Sequence, residues 1–426
     1  MDPVRNTKIR HLYNNIKSRK KQREISNGVE INTDPKKVEE VLSRNVDRVL
    51  PQKSSLKNLM RKRKIRLYLG VDPTGYKLHL GHTIPLRKLQ EFADLGHEAI
   101  LVVGTGTVLA GDPSQREEAR ARITEKEIKE NIRTWKRQTS KILDFSKVKI
   151  KYNGDWLLKL GLGEIIDIAS NISAIRLFQR EMFQKRLKKG DTVWMHEILY
   201  PILQGYDSVA MDVDLEIGGT DQVFNMLVGR ELQQKMRNKE KFVLTCPMIL
   251  GVDGKIMSKS SGNCIWMEDT AEEMFGKIMS IPDDLIISYF ELLTDVALKT
   301  IQQYKQKLKS KRINPRDLKE KLAFEVVKLY HSAGEAKGAE REFAKVFQKK
   351  ELPSSIPEVK ISQESMNILD LLVRLKMVSS KSEAKRLVLQ KGVRVGNEIQ
   401  EDWQKTVKIK KGLVVRVGKR KFAKIA

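Results

Sequence analysis

Cysteine is scarce in this chain of 426 residues: Cys246 and Cys264 are its only two, and they form no framework spacing. With only six histidines besides, the composition argues against a disulfide scaffold or a structural zinc site. No protein-bound metal is expected, and a reducing cytoplasm is the expected setting. Long apolar runs are missing too. None approaches the ~20 residues that a membrane-spanning helix needs, so any membrane role would be peripheral. The polar, basic first thirty or so residues lack the apolar stretch of a secretory signal. Tandem repeats and low-complexity tracts are likewise absent. Acidic residues are in deficit: 54 Asp and Glu face 81 Lys and Arg, a net charge of +27. A surplus of that size implies a polyanionic partner, with nucleic acid ahead of an acidic membrane surface.

What is present is ordered along the chain. Its length exceeds one ordinary core and predicts two to four domains. Residues 1–34, with Lys17, Arg19, Lys20, Lys21 and Arg23, have almost nothing to bury and read as a plain basic extension, disordered or marginally helical, with contact to RNA left open. Globular patterning begins near residue 35. A helix is expected over Pro35 to Asp47 and a strand at Leu67–Val71. A second helix carries Ile84, Leu86, Leu89, Phe92 and Ala93 and closes at Gly96, and a second strand spans Ala99–Gly104. Strand, helix, strand at this spacing is a βαβ unit, which predicts a parallel sheet with right-handed crossovers. Residues 117–200 read as mainly helical with a strand at Val148–Tyr152, and the sheet resumes around Val213–Ile217 and Val243–Leu250.

The expected fold class is α/β. A Rossmann-like parallel-sheet domain covers 35–281 with a helical insertion at about 117–200. A lysine-rich α-helical domain follows over 282–350, then a linker over 351–362. A small α+β unit fills 363–426; there Ser380 precedes Glu383 by three residues, a capping-box pattern, and Lys381, Lys385, Arg386, Lys391 and Arg394 cluster.

Two short strings carry the chemistry. His79-Leu80-Gly81-His82 follows the first strand and the turn-rich Asp72-Pro73-Thr74-Gly75, then opens a helix. Free N–H groups and the helix dipole at such a start can meet a phosphate. Far downstream, Met257-Ser258-Lys259-Ser260 supplies a mobile cation for the same group. A third string places Tyr200, Gln204 and Asp207 at i, i+4 and i+7, one face of a helix. A tyrosine, an amide and a carboxylate on one face make a polar pocket, while Ile198, Leu199, Ile202 and Leu203 hold the rest of that helix in a core. Singly, each residue has an ordinary reading. His79 would be a helix cap, Asp112 in Gly111-Asp112-Pro113 a turn residue, Asp207 a buried carboxylate and Lys259 a surface lysine. The argument for function is joint.

In this order the first two strings resemble the HIGH and KMSKS signatures of class I aminoacyl-tRNA synthetases. Tyr68, the Tyr200–Asp207 string and Gly218-Gly219-Thr220-Asp221-Gln222 narrow the resemblance to tyrosyl-tRNA synthetases, from roughly Pro35 to the C-terminus. The wording around Leu199 to Val209 is closer to one bacterial branch. The resemblance implies activation of L-tyrosine with ATP to tyrosyl-adenylate and pyrophosphate, then transfer to the 3′-terminal adenosine of tRNA(Tyr). It gives Tyr68 and Asp207 to the substrate hydroxyl, where phenylalanine would leave both unpaired. Asp112, Tyr200 and Gln204 would cage the α-ammonium, Gln222 the reacting carboxylate region, and Asp221 the ribose. Asp72, Thr74 and Thr107 would line the neighbouring site. His79, His82, Thr74 and Lys259 would stabilise phosphoryl charge, with Gly81, Gly219 and Met257 completing the ATP site and Mg2+ carried on the nucleotide. No general base is required, because the substrate carboxylate is already ionised and the protein's work is alignment and charge stabilisation.

The same resemblance makes the helical block an anticodon-binding domain and the tail an S-four-like RNA-binding domain with Lys381, Lys385 and Arg386 as contacts. It makes the insertion a homodimer contact. Three rivals stay open: a tryptophanyl-tRNA synthetase, a nucleotidyltransferase acting on a small acceptor, and an RNA-binding scaffold that has lost catalysis. One departure stands out. Ile256 occupies the first position of the second signature, where lysine is usual, and Lys255 lies just before it. Either Lys255 serves from a displaced position or Lys259 alone carries the phosphate contact.

Overall fold

A computed structural model describes residues 31–112, 124–259, 261–348, 356–418 and 421–426. The basic extension through residue 30, Pro113, the first part of the expected insertion, Ser260, linker residues 351–355 and Lys419 lie outside the described residues. The chain forms two compact units. One gathers the described residues up to Thr74 with Pro85–Pro247, the other Gly75–Ile84 with Met248–Ala426.

The first unit is built on six strands: β1 (Arg48–Leu50), β2 (Arg66–Val71), β3 (Glu98–Val103), β4 (Val148–Tyr152), β5 (Leu215–Gly219) and β6 (Phe242–Cys246). Their order is β1-β6-β5-β2-β3-β4. The strands β2 to β6 pair in parallel, as the sequence predicts, and β3 and β6 are almost wholly buried, as strands covered on both faces must be. At the edge, β1 runs antiparallel to β6. Three residues are too few to show an alternation, so this strand was invisible to periodicity. The helix expected over Pro35 to Asp47 covers only Pro35–Val41; Asn45 takes a left-handed φ of 55° and the chain turns into β1. The last expected strand stops at Cys246, where Pro247 has no N–H to extend the ladder. The one expected from Val213 starts two residues later, because the Val213 N–H still donates to Ser208 O at the end of a helix.

Strand order reverses at β2, with β3 and β4 on one side and β5 and β6 on the other. Ligands in such sheets lie beyond the carboxyl ends of the strands at this reversal. Three helices carry or border the polar strings: α1 (Leu80–Asp94), α2 (Met195–Met211) and α3 (Val223–Arg237). The polar face of α2 is held rigidly because α2 and α3 cross closely at glycines. A Cβ on Gly205 would lie 3.0 Å from the Gly229 backbone nitrogen.

In the second unit, the segment before α1 hydrogen-bonds to a distant stretch: Leu80 N–H to Ile265 O and Met267 N–H to Leu78 O, both 2.9 Å. Helices Ala271–Met279, Pro315–Tyr330 and Ala333–Phe343 follow, capped by Thr270, Asn314 and Ser332 side chains. The Tyr330 hydroxyl donates to Thr83 Oγ1 at 2.8 Å. The C-terminal part has its own apolar core, with Ile368, Leu371, Leu372, Ala384, Val388, Val393 and Val415 fully buried. Ser380 caps α4 (Lys381–Leu389) by accepting the Glu383 N–H, but the Glu383 carboxylate reaches back one residue further than a capping box requires, to Ser379.

Candidate functional site

In the first unit, polar side chains gather where the strands end. From the turn after β2, Asp72 accepts from Thr107 Oγ1 at 2.7 Å and from the Tyr200 hydroxyl at 2.9 Å. This approach depends on Gly104, where a Cβ would lie 1.8 Å from Asp72 Oδ1. Asn153, just past β4, donates to Thr107 Oγ1 and to Asp207 Oδ2, and its oxygen accepts the Gly106 N–H. Trp156 Nε1 donates to the other Asp207 oxygen at 2.8 Å. Asp207 is 2% exposed. Burial drives its pKa up to about 8, with the charges of Glu216 and Asp72 adding to the rise and the two donors opposing it.

A second chain of bonds runs beside the first. Asn225 Nδ2 donates to Gln204 Oε1 and to Gln222 Oε1, both at 2.9 Å. Gln222 Nε2 in turn donates to Asp112 at 2.9 Å and Asp221 at 3.0 Å. Burial raises the Asp221 pKa, and the Asp112 charge adds to it. Of the three residues expected around an ammonium, the structure bonds none directly to another. Tyr200 is held by Asp72, Gln204 by Glu216 and Asn225, and Asp112 by Gln222. Asp112 still lies close enough to Tyr200 for its charge, after burial and Asp72, to raise the phenol pKa. Arg180 also belongs to this neighbourhood: it lies against the Phe183 and Phe224 rings, and its charge reaches Asp112, Tyr200 and Asp221.

Tyr68 is fully buried on β2, its hydroxyl 3.0 Å from Ser208 Oγ. Lys241, with no exposed surface, donates to Ser208 Oγ at 2.9 Å and also to Glu216, whose other oxygen accepts from Gln204 at 3.0 Å. Burial pulls the ammonium pKa down, while Glu216 opposes that shift.

The second unit brings the two signature strings together. His79 forms an antiparallel bridge with Trp266, and Lys259 Nζ lies 3.1 Å from where a Cβ on Gly75 would be. The His79 and His82 rings are 3.9 Å apart. His79 Nδ1 accepts the Gly81 N–H, and His82 Nδ1 accepts the His79 N–H. Both imidazoles are therefore held as the Nε2-protonated tautomer when neutral. They are neutral: burial, then the Lys259 charge, brings His79 down to about 3, and burial, then the cost of a second cation beside His79 or Lys259, takes His82 well below its ordinary value. Gly81 fits closely here: a Cβ would sit 3.0 Å from the His79 ring and 3.2 Å from Ile249.

Lys259 is carried by a hairpin in which the Gly251 N–H donates to Lys255 O and Leu250 bridges Ile256. Asn263 clamps it, donating to Asp253 Oδ1 and Ile256 O and accepting the Ser258 N–H. Met257 is buried, so its side chain anchors the hairpin, while Ile256 is exposed. Of the C-terminal basic residues, Lys385 and Arg386 are exposed on α4; Lys385 lies 3.8 Å above the Trp403 ring, and Lys381 pairs with Asp370.

Asn153, Trp156, Arg180, Ser208, Glu216, Asn225, Lys241 and Asn263 did not emerge from the sequence. Asn153 and Trp156 follow a correctly placed strand, and Glu216 is a charge inside an apolar one, so each carried a signal.

A family model of class I tRNA synthetases (W and Y) matches residues 60–348, and one of the tyrosine–tRNA ligase SYY-like C-terminal domain matches 348–425. The tyrosine–tRNA ligase of Thermotoga maritima is 48% identical over 393 residues, which cover 92% of this chain and 98% of that protein. That of Carboxydothermus hydrogenoformans is 43% identical over 397 residues, covering 91% and 97%. Among solved structures, the tyrosyl-tRNA synthetase of Archaeoglobus fulgidus complexed with L-tyrosine shares the fold at TM-score 0.60 and 24% identity, covering 72% of this chain and 99% of that one. Matched along almost its whole length, this chain belongs to the tyrosine–tRNA ligase family of the class I aminoacyl-tRNA synthetases.

Proposed function

We infer that this chain is an ATP-dependent, AMP-forming tyrosine–tRNA ligase. It converts L-tyrosine and ATP to tyrosyl-adenylate and pyrophosphate, then passes the tyrosyl group to the 3′-terminal adenosine of tRNA(Tyr). The tyrosine-type C-terminal domain favours tyrosine over tryptophan. The observation that carries the specificity is Asp207. Trp156 and Asn153 each fix one of its oxygens, which leaves remaining lone pairs to accept from a phenol hydroxyl. Tyr68 gives the second contact to that hydroxyl. Asp112, Tyr200 and Gln204 surround the α-ammonium, Gln222 meets the carboxylate region, Asp221 the ribose, and Asp72, Thr74 and Thr107 line the adjoining space.

For the phosphates, the Nε2–H groups of His79 and His82 and the Lys259 ammonium are donors suited to phosphoryl oxygens. Gly81 and Gly219 let the nucleotide approach. Mg2+, entering on ATP, neutralises charge on the leaving pyrophosphate. The helical block binds the anticodon stem, and exposed Lys385 and Arg386, with Lys381, serve RNA contacts in the tail. We place the reaction in the cytoplasm; no helix among the described residues is long and apolar enough to cross a membrane.

The test is amino-acid-dependent ATP–pyrophosphate exchange with tyrosine, phenylalanine and tryptophan side by side. Exchange with tyrosine alone is expected. Exchange with tryptophan would overturn the assignment of Tyr68 and Asp207, and silence with all three would favour a scaffold without catalysis.

A homodimer is part of this reading. Nine of the fifteen exposed large apolar side chains among the described residues fall between Tyr152 and Met195, including Leu162, Ile166 and Ile175. Leu162 and Ile166 share one helix face. So much apolar surface concentrated in one stretch marks an interface. Leu162→Asp combined with Ile175→Asp should halve the mass seen by sedimentation equilibrium; an unchanged mass would place the interface elsewhere.

A further inference from the structure

Lys241 and Glu216 form an ion pair with almost no exposed surface, directly behind Tyr68. Apolar residues of similar volume generally serve stability as well as a buried pair does, so packing alone does not explain it. Space is kept for the pair: a Cβ on Gly229 would lie 2.6 Å from Lys241 Nζ. Glu216 is also the register partner of Tyr68 across β2 and β5.

The hydrogen bonds run in one direction. An ammonium can only donate, and Lys241 gives hydrogens to Ser208 Oγ and to Glu216. Gln204 Nε2 gives one to the other Glu216 oxygen. Ser208 Oγ is thereby an acceptor, and its own hydrogen is available to Tyr68 Oη at 3.0 Å. Tyr68, accepting from Ser208, keeps a hydrogen to give; Glu216 lies within reach as one acceptor for it, and the phenol oxygen of a bound tyrosine competes with that carboxylate.

We propose that Lys241 and Glu216, acting through Ser208, are positioning residues that make Tyr68 a hydrogen donor to the phenol of bound tyrosine, and so set discrimination against phenylalanine. This rests on the ligase reading, in which Tyr68 meets the substrate hydroxyl. The phenol oxygen then accepts from Tyr68 and its hydrogen goes to Asp207, a polarity that only a hydroxyl satisfies and a bare ring cannot.

The experiment compares kcat/KM for tyrosine with that for phenylalanine in pyrophosphate exchange. Single removal of either charge would strand the other in the core. The variants are therefore the neutral double Lys241→Met/Glu216→Gln, and Ser208→Ala, which leaves the ion pair whole. With folding verified by circular dichroism, the tyrosine-to-phenylalanine ratio should fall about tenfold or more in each, as loss of one oriented hydrogen bond does. Tyr68→Phe should lower it at least as far, and adding Ser208→Ala to Tyr68→Phe should lower it no further. A ratio within about twofold of wild type in folded Ser208→Ala, or additive losses with Tyr68→Phe, overturns the proposal while leaving the ligase assignment intact. Wild-type protein silent with tyrosine would overturn the assignment itself, and the proposal with it.

Discussion

Lys259→Ala should slow single-turnover adenylate formation by about 10²–10³-fold, the usual loss when one preorganised donor to a developing oxyanion is removed, whereas Lys255→Ala should cost about fivefold at most. The two lysines differ in where the hairpin puts them. Lys259 lies beside Gly75, and its charge is the second cause, after burial, of the low His79 pKa. Lys255 sits in the turn, where its carbonyl accepts the Gly251 N–H, and the next residue, Ile256, offers no charge. In the proposed reading, the departure at Ile256 therefore leaves the phosphate contact to Lys259. Rapid-quench measurement of tyrosyl-adenylate under single-turnover conditions separates this step from tRNA transfer. Equal losses in the two variants would mean that Lys255 serves from its displaced position.

Of the parallel strands, β2, β3 and β6 were legible as short apolar runs, and β4 alternates apolar residues with lysines; for Val148–Tyr152 the expected and observed bounds coincide. The helix face of Tyr200, Gln204 and Asp207 was legible because spacing alone defines a face. What those side chains hold was not. Gln204 on α2 meets Glu216 on β5 only in the folded chain, and Glu216 meets Lys241 only because the Glu216↔Val243 register puts β6 beside it. Such partnerships depend on strand order and register, which local periodicity does not contain. The same is true of the pairing between Leu78–Leu80 and Ile265–Met267, which joins segments almost two hundred positions apart in sequence into one compact unit. The joint reading of His79, His82 and Lys259 rested on resemblance; the hydrogen bonds that choose the imidazole tautomers became visible only in three dimensions.

Asp207→Asn should lower kcat/KM for tyrosine by about 10–100-fold, the equivalent of the roughly 1.5–3 kcal/mol that a hydrogen bond to a charged group contributes. The same substitution should barely alter kcat/KM for phenylalanine, which has no hydroxyl to present. An amide at this position cannot accept from both Trp156 and Asn153 and still accept from a phenol, since one of its two polar atoms is a donor. The pH dependence adds a second signature. The free-enzyme pKa of about 8 means that the carboxylate form is reached only as pH rises through that value, so kcat/KM for tyrosine should climb through pH 8. Any limb belonging to the substrate's α-ammonium is shared by phenylalanine, and the Asp207 limb is not. In Asp207→Asn the tyrosine-specific limb should vanish. Stability follows the same proton. The folded pKa is raised from 3.8 to about 8, so the folded state binds more protons than the unfolded one between those values. The contribution of Asp207 to stability is therefore full below about pH 4 and is lost as pH rises through about 8. Urea midpoints at pH 5 and pH 8.5 should accordingly fall more steeply with pH in the wild type than in Asp207→Asn. Parallel midpoints in the two proteins would mean that Asp207 is ionised throughout, and the rate limb would then belong to another group.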